Sequence, residues 1–183
     1  MNKPQLLQHL ERLDARLKSP TRLCIYGSAA FMLLGEPERT SLDIDVAGPY
    51  SQADFGQFSR AAAAAGLPVN PPADTGADHF EWVGPLRLCL PKPTPGSELP
   101  LWQGRRLAVV TVPPAALVAS KLIRYDAADQ GDIQYLLTQH PVAFSAIRAA
   151  AGQLPPPFND DPLVRDNLAS LRTDLKTWRR GSA

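Results

Sequence analysis

The sequence predicts an α/β (α+β) fold, a mixed sheet with flanking helices followed by a helical C-terminal part. Three observations carry this. An apolar run, Leu23 to Tyr26, ends in Gly27-Ser28 and is followed by a short apolar helix and a second strand ending at Ala47. Arg105 to Val112 is the clearest β pattern in the chain, with Leu107, Val109 and Val110 in it. Leucine stripes at helical spacing mark both ends of the chain.

Taken in order, Pro4 to Lys18 reads as an amphipathic helix carrying Leu6, Leu7, Leu10, Leu13 and Leu17, stopped at Ser19-Pro20. Strand one is Arg22 to Tyr26. A helix from Ser28 to Leu34 closes at Gly35, a usual C-cap residue. After the loop Glu36 to Arg39, strand two runs from Ser41 to Ala47 and breaks at Gly48-Pro49. Ser51 caps a helix to Ala65, closed by Gly66, and its alanine run suits close packing. Pro68 to Gly76 is a Pro-rich loop. His79 to Val83 and Leu86 to Leu90 read as a hairpin joined through Gly84-Pro85, with a second Pro- and Gly-rich loop from Pro91 to Glu98. Pro113-Pro114 then opens a helix at the position that tolerates proline, continuing from Ala115 to Tyr125. Further helices are expected over Asp126 to Gln139, Pro141 to Gln153 and, beyond the spacer Pro155-Pro156-Pro157, Asp161 to Arg180. In the last, Leu163, Leu168, Leu171, Leu175 and Trp178 face inward or toward a partner, and the end is basic, as suits a helix C-terminus. Residues 1–112 form the expected core with its N-terminal helix, and residues 113–183 a helical part closing the site.

The chain of 183 residues, with 44% hydrophobic and 20% charged residues, has the composition of a globular protein able to bury a core. A net charge of +1 provides no global basic field for nucleic acid and leaves a local patch open. Three His and two Cys argue against a zinc site, and Cys24 and Cys89, both expected in strands, read as small buried hydrophobes. The N-terminus is polar and no apolar run approaches ~18 residues, so no signal peptide or membrane span is expected and the expected compartment is the cytoplasm.

The chemistry concentrates between Gly27 and Asp45. Residues i and i+2 of a strand share a face, so Asp43 and Asp45 stand side by side while Leu42, Ile44 and Val46 face the core. Two carboxylates on one face call for a cation, most naturally Mg²⁺ or Mn²⁺. Gly27-Ser28 opens a helix whose free N–H groups, with the Ser28 hydroxyl, suit a phosphate. The plain alternatives are that Ser28 is an N-cap and that Asp-x-Asp falls here by chance. Arg39 contacts a phosphate, holds the carboxylates, or is a solvated loop charge.

Gly27-Ser28 followed by Arg39-x-Ser41-x-Asp43-Ile44-Asp45 resembles the motif of polymerase-β-like nucleotidyltransferases. The likeness is to the minimal bacterial group that includes AbiEii-type toxins of type IV toxin–antitoxin systems. Fourteen residues separate Ser28 and Asp43, an ordinary spacing for that group. Lys121-x-x-Arg124 … Asp129-x-x-Asp132 resembles the second half of the pattern, although Ala128 stands where a basic residue is usual. The resemblance implies that Asp43 and Asp45 hold the metal, and that Gly27, Ser28, Arg39 and Lys121 bind an NTP. Asp129 then supplies a late carboxylate, with Asp132 as its neighbour. It further implies NMP transfer to an RNA (such as tRNA) or protein hydroxyl, a toxin or phage-defence role, and an antitoxin partner. The alternative for the second cluster is a set of surface ion pairs between helices. Many nucleotidyltransferases place a third carboxylate on a later strand as general base; the resemblance makes Glu81, with Asp78 next to it, the candidate, and Asp129 or Asp132 otherwise. Two further readings stand open: a degenerate fold used as a binding or regulatory module, and a small-molecule transferase of the antibiotic-modifying kind.

Overall fold

The computed structural model describes residues 1–37, 39–72 and 76–181, with side chains of the last helix described through Trp178. Among these residues the protein is mixed α/β, with seven α-helices and one five-stranded sheet, as the sequence predicts. It divides into two compact units, Met1–Leu88 with Thr94–Val112, and Cys89–Pro93 with Pro113–Ala183.

The first unit contains α1 (Lys3–Arg16), β1 (Thr21–Tyr26), α2 (Gly27–Leu34), β2 (Asp43–Ala47), α3 (Phe55–Ala64), β3 (His79–Val83), β4 (Leu99–Gln103) and β5 (Leu107–Thr111). The strand order is β3-β2-β1-β5-β4. β1 pairs with β5 and β2 with β3 in parallel, whereas β1–β2 and β4–β5 are antiparallel. Asn2 and Gln5 form a capping box that starts α1. Its Leu6, Leu10 and Leu13 are fully buried in one core with Ile25, Ile44, Val46 and Phe80. Phe58 of α3 meets Phe80 edge-on at 5.1 Å.

Four expectations for this unit are corrected. Ser51 does not cap α3; its hydroxyl accepts from Cys24 N–H and donates to the Ala47 carbonyl, both at 3.0 Å, while Gln52 exchanges backbone hydrogen bonds with Arg22. The segment is therefore held extended beside β1, and Asp54 caps the helix by accepting from Gln57 N–H at 2.8 Å. Leu86–Leu90 is not a strand, and no hairpin forms. The Gly84 carbonyl captures the N–H groups of Arg87 and Leu88, leaving Leu86 exposed and Cys89 half-buried outside any strand. The edge of the sheet beyond β5 is instead β4, unanticipated because Pro100 interrupts it; an edge strand with a bulge at Pro100/Trp102 tolerates the missing donor. Leu42 lies just ahead of β2 and is 54% exposed, so only Ile44 and Val46 face the core. Residue 38 and residues 73–75 of the two expected loops lie outside the described residues.

The second unit is helical: α4 (Pro114–Lys121), α5 (Ala127–Gln139), α6 (Phe144–Ala151) and α7 (Pro162–Gly181). Leu117, Ile133, Leu136, Ile147, Val164 and Leu171 are buried in it. α4 stops at Lys121, before the expected Tyr125, because Tyr125 adopts φ 55° and turns the chain. Tyr125 then donates its hydroxyl to Asp174 at 2.7 Å, and Asn167 Nδ2 donates to the Leu122 carbonyl. On α7, Leu171 points inward as expected, Leu168, Leu175 and Trp178 are half-buried, and Leu163 is 50% exposed. The Arg179 and Arg180 side chains of the expected basic end lie outside the described ones. No helix among the described residues is long and apolar enough to cross a membrane.

Asp14 ties α1 to the start of β5, accepting from the backbone N–H groups of Arg105, Arg106 and Leu107 at 3.0, 2.7 and 2.7 Å. Burial would raise its pKa, but those three donors outweigh burial and hold it below the usual carboxylate value. A depressed folded pKa stabilises above the unfolded pKa and is lost as pH falls through the folded one. Asp14→Asn is expected to cost roughly 1–3 kcal/mol at pH 7. In urea titrations, the gap between variant and wild type should narrow as the pH is lowered from 5 to 3.

Candidate functional site

β1 delivers the chain to Gly27, where α2 begins. Gly27 has φ 64°, and a Cβ built there would lie 2.3 Å from Asp45 Oδ2. Glycine is thus required both by the backbone and by the carboxylate pressed against it. Tyr26 occupies the N-cap position and makes no side-chain cap, so the first turn of α2 is not closed by a side chain. Ser28 is not that cap. Its hydroxyl accepts from Arg39 Nη2 at 3.0 Å, which brings the loop after α2 back over its start.

β2 presents Asp43 and Asp45 on one face, opposite the fully buried Ile44 and Val46. β3 lies parallel in a register that sets Asp43 beside His79 and Asp45 beside Glu81. Glu81 therefore projects from the same face, and Asp43, Asp45 and Glu81 each offer a carboxylate oxygen within 4.8 Å of the others. All three are half-buried. Ser41 Oγ donates to Asp43 Oδ1 at 2.5 Å, and Arg87 Nη2 donates to Glu81 Oε1 at 2.6 Å. The Arg87 side chain is 75% exposed, so this pair contributes little energy and yields readily. An all-carboxylate donor set without His or Cys fits a hard cation such as Mg²⁺ or Mn²⁺.

The second expected constellation lies in the helical unit, and it is a buried charge cluster rather than a set of surface pairs. Lys121 Nζ donates to Asp129 Oδ1 at 2.8 Å and to Asp132 Oδ2 at 2.5 Å. Arg124 adds a bidentate pair to Asp129 at 2.9 Å for each bond, and a 2.7 Å contact to Asp126. Lys121, Asp129 and Asp132 are 8%, 1% and 0% exposed. Asp126, by contrast, is exposed and caps α5 by accepting from Asp129 N–H. Burial pushes the Asp129 carboxyl up, but hydrogen bonds from Arg124 and Lys121 outweigh it and hold the group below the usual range.

No protein-family model, curated protein or solved structure matches the chain.

The structure thus gathers Asp43, Asp45 and Glu81 into one group with Asp45 against Gly27, joins Arg39 to Ser28, and joins Lys121 and Arg124 to Asp129. Asp78, the neighbour of Glu81, is turned to another task, accepting from the N-terminal ammonium and pairing with His9. Arg87 is the residue that sequence reading did not consider. It reaches Glu81 only because residues 84–88 turn instead of extending, which the alternating leucines conceal.

Two outcomes follow from this geometry. Gly27→Ala should displace the Asp45 carboxylate and cost about 1–3 kcal/mol of stability through strain at positive φ, read as a lowered Tm and weakened Mn²⁺ binding. Lys121→Met leaves two buried carboxylates without their shared cation and should cost roughly 3–5 kcal/mol. Because the Asp129 pKa is depressed, the stability it contributes is present at neutral pH and lost as pH falls through its folded value, so acid unfolding should shift to higher pH in this variant.

Proposed function

We propose that the chain is a Mg²⁺- or Mn²⁺-dependent nucleotidyltransferase that moves a nucleoside monophosphate from an NTP to a hydroxyl of RNA, such as tRNA, or of a protein. The observation that carries this reading is the Asp43–Asp45–Glu81 group, whose Asp45 packs against Gly27 at the start of α2. Asp43 and Asp45 would hold the cation, which when bound neutralises phosphate charge and makes the acceptor hydroxyl more acidic. Backbone N–H groups at Gly27 and Ser28 would receive triphosphate oxygens, with Arg39 fixing the Ser28 hydroxyl. A Glu81 carboxylate oxygen would take the acceptor proton. The acceptor oxygen forms its bond to the α-phosphorus as the α–β P–O bond breaks, and pyrophosphate leaves with the electron pair. Lys121 is held within its own unit by Asp129 and Asp132, so in this reading Lys121 and Asp129 serve the integrity of that unit. The family resemblance adds a toxin or phage-defence role, with an antitoxin as partner.

The engagement of Glu81 by Arg87, and of Lys121 by Asp129 and Asp132, favours a second reading. In it the same fold is catalytically degenerate and serves as a binding or regulatory module. The two separate in one assay, in which purified protein is incubated with each α-³²P-labelled NTP, Mg²⁺ and total bacterial RNA. Under the transferase reading, label enters RNA or protein, and Asp43→Ala/Asp45→Ala reduces incorporation by at least about 100-fold. Absence of label with every nucleotide, together with absence of Mg²⁺-dependent NTP binding, would leave only the binding module.

A further inference from the structure

The end of the sheet away from the carboxylates carries a second feature. β1 runs from Thr21 to Tyr26, so its start lies about 17 Å along the strand from Tyr26, the residue paired with Asp45. Two cavities open around that start, both within the first unit. One, of about 500 Å³, is lined by Arg16, Lys18, Gln57 and Arg60 between the end of α1 and α3. The other, of about 220 Å³, is lined by Arg22, Arg105 and Arg106 with Gln52 and Gln103. Lys18 belongs to the first and Pro20 to the second, so the short link between α1 and β1 runs from one to the other.

Six cations thus meet at one end of a protein whose net charge is +1. Two of them have structural tasks: Arg22 pairs with Glu98 at 3.0 Å, and Arg106 donates to the Leu17 carbonyl. Arg16, Lys18, Arg60 and Arg105 are exposed. The acids nearby are largely committed. Asp14, whose charge Arg105 feels, gives both oxygens to backbone N–H groups, and Asp54 caps α3. What faces the cavities is guanidinium, ammonium and carboxamide, with Thr21 and small apolar side chains between them. A protein interface would place aromatic or large aliphatic anchors at its centre, and a membrane-surface site would add a hydrophobic face. Forked guanidinium donors spread over two adjoining cavities suit a ligand that repeats an anionic group along a chain. Nucleic-acid interfaces have this polar, strongly positive character.

We propose that this face binds the phosphate backbone of RNA. The choice of RNA over DNA rests on the transferase reading, in which RNA is an acceptor; the cationic face itself does not. A strand held here is anchored about 17 Å from the carboxylate group, so the face acts as a dock remote from the chemistry.

The test is equilibrium binding of a fluorescein-labelled 20-nucleotide single-stranded RNA to the full chain, in EDTA and without NTP, at 50–200 mM salt. A DNA of the same sequence runs in parallel. Four phosphate contacts on a single strand give a log–log salt slope of about −3, so affinity should fall roughly 50-fold over that range. Arg16→Ala/Lys18→Ala/Arg60→Ala/Arg105→Ala should weaken RNA binding at least about tenfold and flatten the slope toward zero. Arg16→Lys/Arg60→Lys/Arg105→Lys keeps the charge and should keep most of the affinity. The proposal is overturned if the wild-type chain does not bind RNA, if the alanine variant binds as wild type does, or if DNA binds more tightly than RNA. Because the assay contains neither nucleotide nor divalent cation, binding without transfer would count against the transferase reading alone. Transfer without binding would count against this dock alone.

Discussion

Like charges brought together must be held there by something stronger than their repulsion, and in the first unit the parallel pairing of β2 with β3 does this. Asp43 and Asp45 are forced onto one face by the pleat, and Glu81 joins them because the β2–β3 register aligns it with Asp45. The opposite face of the same strands carries Ile44, Val46 and Phe80, all fully buried. Burial of those three side chains locks the register, since a slip of one residue would turn the acids inward and the apolar residues out. The carboxylate group is therefore sustained by hydrophobic packing beneath it. A cation on top would relieve the remaining repulsion.

The two units solve the problem of buried or crowded charge in opposite ways. In the first, three carboxylates stand half-buried, with an exposed arginine donating to Glu81 and a serine hydroxyl to Asp43. In the second, two aspartates are sealed almost completely but share a lysine, and one also takes an arginine fork. A half-buried acidic group at the surface is suited to an external cation. An acidic group already matched by internal cations holds helices together.

How much of this was legible in the sequence follows the range of the interactions involved. Local periodicity was enough for α1, for β1, α2 and β2 around Gly27, and for the side-by-side placement of Asp43 and Asp45, since each depends on neighbours within a few residues. Glu81 could be named only as a candidate, because its approach depends on a parallel register between strands more than thirty residues apart in the chain. Leu86, Leu88 and Leu90 alternate as a strand does and so suggest a hairpin at Gly84, while the deciding event is a backbone turn onto one carbonyl. β4 was hidden by Pro100, and the start of α3 by the use of Ser51 across to β1. The Lys121 cluster was found as a set of residues, but its burial depends on helix packing that spacing alone does not specify.

The division of the chain places Cys89–Pro93 with the helical unit, although the residues on both sides belong to the sheet unit. The polypeptide therefore crosses from one unit to the other three times, at 88/89, 93/94 and 112/113. A single linker between domains can be cut or lengthened with each half left whole; a stitched chain cannot. Ending the chain at residue 112 would strand Leu90 and Pro91, which are buried in the intact protein, on a fragment from which their own unit is missing. Replacing the helical part by another domain would meet the same obstacle, since the segment Cys89–Pro93 would have to be replaced with it.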